Sequence, residues 1–178
     1  MSRRRRTLYT SVCLGDHPDY IYKFLTCTRD LIVINSCIHN SVTGHAFGGG
    51  AFLAMSHDYR VMRSDRGWIS WNETHLKLRL GDMFLNLLSK KVLAMESIRE
   101  AVLFGKRATA NEAKELFLVD AMTELSELIP KAKQMALEAL GPNGIDREML
   151  QRMKQDLYVR PSGEKSFLPE TNLKGSKL

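Results

Sequence analysis

Cysteine is scarce in this 178-residue chain: Cys13, Cys27 and Cys37 are its three, with no CxxC pair and no zinc-like spacing to the five histidines. No disulfide framework is implied, and a reduced compartment without a structural metal is the expectation. No apolar run approaches the 18 or so residues needed to span a bilayer, and Arg3–Arg6 precede no signal-peptide core. No membrane span is expected. Internal repeats and low-complexity blocks are missing too. The formal net charge of +6 is partly local, with Arg3–Arg6 at one end and Lys174 and Lys177 at the other. These cations lack interleaved aromatics, so they read as solvated ends; a basic binding module is the weakest of the functional readings, and no nucleic-acid partner is expected.

What is present suits one packed domain, with 44% apolar and 26% charged residues. Residues 1–40 show no sustained periodicity and form an unassigned leader, expected to be the least ordered part apart from the tail. From Ser41 the signals are orderly. Gly49 to about Met55 reads as a short helix entered from a glycine turn, Tyr59–Arg63 and Trp68–Trp71 as strands, and Asn72–Glu73 as the loop ending the second. Ala94–Leu103 reads as a helix, and Thr109-Ala-Asn-Glu112 is a capping box opening another through Phe117. Leu118–Met122 reads as a strand, with helices at Glu127–Leu140 and Asp146–Leu157. Residues 158–178, with their prolines, glycines and charges, read as a flexible tail. Its last three residues, Ser176-Lys177-Leu178, match the tripeptide that a peroxisomal import receptor reads at a free carboxyl end.

Four glycines fall within Gly44–Gly50. Glycine costs roughly 0.5–1 kcal/mol against alanine inside regular structure, so such a cluster marks a sharp bend or a close approach. The absence of GxxxxGK[ST] and of a strand-borne GxGxxG sets nucleotide binding aside. Two readings stay open: amides at a helix start that hold an oxyanion, or a tight turn packing a helix on a strand. Glu73 likewise reads either as a solvated loop carboxylate or, beside Trp68 and Trp71, as one whose pKa burial raises.

The run "VTGHAFGGGAFLAMSHDYRVMRSDRGWISWNETHLKL" resembles the crotonase superfamily, and within it the enoyl-CoA delta-isomerases. "AVLFGKRATANEAKELFLVDAM" is similar to that family's helix, G(K/R)R turn, AxEA helix and G-L/I-V-D strand, with Phe117-Leu118 where glycine is more usual. The resemblance implies an α/β, partial crotonase-like ββα spiral with C-terminal helices that make trimer contacts. It also implies an acyl-CoA substrate, in which coenzyme A is part of the substrate and no separate cofactor is needed. Gly49 falls at the amide that holds the thioester oxygen, with Gly48 and Gly50 letting the backbone approach. Glu73 falls at the isomerase base. Phe52 and Trp71 are expected beside the substrate, Phe52 standing where hydratases carry a second glutamate. Shifting a double bond needs one base to move one proton, whereas hydration uses paired carboxylates, so Phe52 favours isomerase over hydratase.

Upstream of the glycine turn the family carries ββα repeats and an F-x-A/S-G-x-D/N-L segment that completes the oxyanion hole. Residues 1–40 contain no such segment. The expectation is a chain holding the second half of the family fold. Two outcomes follow: a peroxisomal delta-isomerase of fatty-acid β-oxidation, or an inactive relative that serves as an assembly partner.

Overall fold

The computed structural model describes residues 29–33 and 39–159. The three cysteines, Arg3–Arg6 and the Ser176–Leu178 tripeptide lie outside the described residues. The architecture is mixed α/β with two parallel sheets. Strands β1 (His39–Val42), β3 (Tyr59–Arg63) and β5 (Ala121–Thr123) form one sheet in the order β1-β3-β5; β2 (Ala46–Phe47) and β4 (Ile69–Ser70) form the other. His39 pairs with Tyr59 and Val61 with Ala121.

The central strand β3 is buried on both faces, as a covered parallel strand must be. Successive side chains point opposite ways. Met62 joins the main core with Val42, Met55 and Leu118, while Val61 meets Leu128 and Ala132 of α5 (Leu128–Leu140). Helix α1 (Gly49–Met55) buries Gly50, Ala51, Phe52, Ala54 and Met55, leaving little of it polar. Its end is fastened by Ser56 Oγ donating to the Phe52 carbonyl at 2.9 Å and His57 Nδ1 donating to the Leu53 carbonyl at 2.7 Å. Next come α2 (Asp82–Lys91) and α3 (Met95–Ile98), the latter running on as a π-helical turn at Arg99–Leu103. Helix α4 (Ala110–Glu115) starts from the Thr109–Glu112 capping box, both bonds of which are made. Helix α6 (Arg147–Lys154) is capped by Asp146 and continues as a second π-helical turn to Val159.

Several elements differ from the sequence reading. Helix α2 had no counterpart in it. The expected strand Leu118–Met122 begins only at Ala121, because the Leu118 amide turns back to the Ala113 carbonyl at 2.8 Å and Phe117 takes a left-handed φ of 57°. Val42 closes β1 and Ala46 opens β2, strands of different sheets. At the expected domain edges, β1 starts at His39, Ile32 of a helical turn at 29–32 is buried, and Tyr158 packs on the core.

Candidate active site

The parallel pair β2 and β4 runs two segments side by side and releases both at one end, with Ala46 opposite Ile69 and Phe47 opposite Ser70. The Gly48 amide donates to the Ser70 carbonyl at 2.9 Å, carrying the ladder one step further. Beyond it β2 turns into α1, and β4 runs through Trp71 and Asn72 into a 3₁₀ turn at Glu73–Leu76. Carboxyl ends of parallel strands are where ligand sites form in α/β proteins. Gly48 is required twice over: its φ is +48°, and a Cβ there would lie 3.0 Å from Glu73 Oε1. Thus Gly48, Gly49 and Glu73, far apart in sequence, are brought together.

Among the described residues, Glu73 has no charged partner. Its Oε2 is buried without a hydrogen bond, and burial raises its carboxyl above the ordinary carboxylate range, opposed only by a bond from its own backbone. A carboxylate in that condition is a ready proton acceptor. Beside it, the amides of Gly49 and Gly50 stand in the first turn of α1, where no intrahelical acceptor exists for them. The arrangement supplies one base and adjacent backbone donors.

Phe52 and Trp71, expected beside the substrate, are both buried. The Phe52 ring stacks on Phe84 at 3.9 Å and lies 5.6 Å from Trp71, whose Nε1 is buried without a partner. Together they form a packed aromatic wall behind the glycine turn. Phe84, from α2, escaped the sequence reading, although Phe84, Leu87 and Leu88 recur at helical spacing. Trp68 is exposed instead, tilted against His45 at 4.5 Å. Lys106 pairs with Glu112 at 3.0 Å, and Arg107 lies over the Phe47 ring at 5.7 Å.

A cavity of about 610 Å³ opens where α5 and α6 meet the start of β3, with Asp58, Leu140, Leu150, Lys154 and Tyr158 in its wall. None of the candidate site residues Gly48, Gly49, Gly50, Phe52, Trp71 and Glu73 borders it. Lys154 there is buried and bonds Asp58 at 2.6 Å.

A family model described as enoyl-CoA hydratase/isomerase matches residues 15–162. Among curated relatives, "Enoyl-CoA delta isomerase 1, peroxisomal" of Arabidopsis thaliana is 29% identical over 161 residues, covering 88% of this chain and 67% of the relative. "Enoyl-CoA delta isomerase 2, peroxisomal" of the same plant is 38% identical over 124 residues, covering 69% and 52%. The chain thus spans between about half and two thirds of the length of these relatives. Among solved structures, the human mitochondrial delta3-delta2-enoyl-CoA isomerase superposes with a TM-score of 0.70 at 19% identity, covering 78% of this chain and 52% of that one. That likeness concerns the fold.

Proposed function

Because the chain belongs to the enoyl-CoA hydratase/isomerase family, we propose that it moves the double bond of a 3-enoyl-CoA thioester to the 2,3 position, with Glu73 as the proton carrier. The observation that carries this reading is a partially buried carboxylate against the glycine turn, one oxygen of which has no hydrogen bond, with phenylalanine at position 52. Glu73 takes a proton from C2, the electrons spread through C2–C4 onto the thioester oxygen as a dienolate, and the same carboxyl returns the proton to C4. Charge grows on the thioester oxygen in the transition state, so an amide N–H from Gly49 aimed there lowers the barrier more than it tightens binding. The raised carboxyl pKa brings the base nearer the acidity of its task.

Location belongs to the same reading. Ser176-Lys177-Leu178 would direct the protein to the peroxisomal matrix, where unsaturated fatty acids are broken down, and two relatives carry "peroxisomal" in their names. Deleting the tripeptide should leave the protein in the cytosol; import that survives deletion assigns location to another signal. Self-association is also proposed: Ile129 and Leu137 on α5 are exposed apolar residues that a trimer would cover.

The test of the chemistry is conversion of 3-enoyl-CoA by the full chain and by Glu73→Gln. Turnover should fall by about 10²–10⁴-fold in the variant while thioester binding holds, because the amide keeps the shape but takes no proton. No conversion by the unaltered chain, or full turnover in Glu73→Gln, overturns the reading.

A further inference from the structure

Glu73 opens a 3₁₀ turn of four residues that Asn72 does not cap with its side chain. So short a turn does not hold itself in place. Its carboxylate has a buried oxygen with no partner, and a group in that state gains by swinging out to water. Something else must fix the turn.

The chain that follows α3 runs alongside it. Ile69 and Ala108 exchange backbone bonds of 2.9 and 3.0 Å, and Ser70 Oγ donates to the Gly105 carbonyl at 3.1 Å. Further along, Thr74 Oγ1 donates to the Val102 carbonyl at 3.2 Å and His75 Nε2 donates to the Phe104 carbonyl at 3.1 Å. These acceptors are available because the π-helical turn ends there: the Phe104 amide closes back on Arg99 at 3.1 Å, and the last carbonyls have no further helix to bond. Gly105, with φ +59°, lets the imidazole press in, since a Cβ there would lie 2.7 Å from His75 Cδ2. Two adjacent side chains of the Glu73 turn therefore reach one helix end.

We propose that Thr74 and His75 are positioning residues that hold Glu73 against the glycine turn by tying its 3₁₀ turn to the final carbonyls of the π-helical segment. Neither touches substrate; each acts through Glu73. The proposal rests on Glu73 being the proton carrier, so its test has one arm that needs no turnover. In the full chain, Thr74→Val and His75→Ala should each lower kcat about tenfold, and the double variant about a hundredfold, with KM little changed, because misplacement of a reacting group costs on that scale. Thr74→Ser, which keeps the hydroxyl, should restore most of the Thr74→Val loss.

The second arm follows the Glu73 carboxyl by ¹³C NMR, assigned with Glu73→Gln. Its midpoint, above the ordinary range in the unaltered chain, should drop into that range when the ties are cut and the carboxylate reaches water. An unchanged midpoint in the single variants, or equal losses in Thr74→Ser and Thr74→Val, overturns the proposal. Should the double variant melt, the singles and Thr74→Ser decide. Absence of turnover in the unaltered chain counts against the proton-carrier reading, while the titration still decides whether the ties hold the carboxyl.

Discussion

Lys154 and Glu73 are both ionisable groups drawn away from water, at different places in the fold, and among the described residues only Lys154 has a charged partner. At the C-terminal helices, Lys154 meets Asp58 at 2.6 Å, Arg60 meets Asp120 at 2.9 Å, and Lys91 donates to the His57 carbonyl at 2.7 Å with the Tyr158 ring beneath it. At the glycine turn, Glu73 Oε2 meets no donor. A buried pair is strongly destabilising to break, so the first arrangement locks α6 onto the start of β3. An unpaired carboxylate adds nothing of that kind, and its proton affinity is left for chemistry. The difference separates groups that hold the fold from a group that the fold holds.

The hardest blow to this contrast is Phe52→Glu. Placing a second carboxylate in the wall between Phe84 and Trp71 buries a charge with no partner and removes an aromatic contact. A loss of about 4 kcal/mol or more is expected from the urea midpoint. A folded variant of unchanged stability that weakly hydrates 2-enoyl-CoA would show the wall to be wet.

Next in size, Asp58→Ala should cost about 3 kcal/mol by removing the carboxylate that lies 2.6 Å from the buried Lys154 amine, while Glu73→Gln should leave the midpoint unchanged or raise it. Equal destabilisation by both would erase the distinction between the two regions.

The pH dependence sharpens it, because the two regions respond with opposite sign. Burial, followed by the nearby Arg60, pushes the Lys91 amine from its ordinary 10.5 down to about 7. Between those values the unfolded chain holds a proton that the folded chain lacks, so stability rises with pH across that window. Lys91→Met should flatten the rise. Burial instead raises the Glu73 carboxyl above its ordinary 4.5. Its contribution is fully present below that ordinary value and is lost as pH climbs through the raised one. Glu73→Gln should remove this slope, and a difference titration of the two variants would show whether the signs differ as stated.

The smallest effect is expected outside both regions. Phe117 is exposed and carries φ +57° at the end of α4, at the place where the family pattern has glycine. Phe117→Gly should stabilise by about 1 kcal/mol, as the left-handed strain disappears with little lost burial. A fall in melting temperature would mean that the phenyl ring packs more than its exposure implies.

Much of this was legible in local patterns. The glycine turn into α1, the strand Tyr59–Arg63 and the Thr109 capping box each depend on a few neighbouring residues, and each stands in the structure. Helix α2 was not read, because Leu76, Leu78 and Leu80 alternate like a strand up to Gly81 and mask the helical spacing after it. Leu118 and Val119 look like a strand from their apolar character; their burial comes from the cap of α4 folding back before β5 begins. The part of the site carried by Gly48, Gly49 and Glu73 was visible as motif, whereas Phe84, Thr74 and His75 were not, since their partners lie 28 to 32 residues away.

By itself the sequence determined which groups are available: a carboxylate after an apolar strand, glycines able to take a bend, and a phenylalanine at position 52. Those are properties of a residue and its immediate neighbours. The tertiary structure alone decided that Glu73 sits against Gly48 with an oxygen cut off from water, that Phe52 is wall, and that the turn is tied to the end of a π-helical segment. Burial and hydrogen-bond satisfaction are sums over atoms from β2, β4, α1, α2 and α3, and no one stretch of chain contains those atoms.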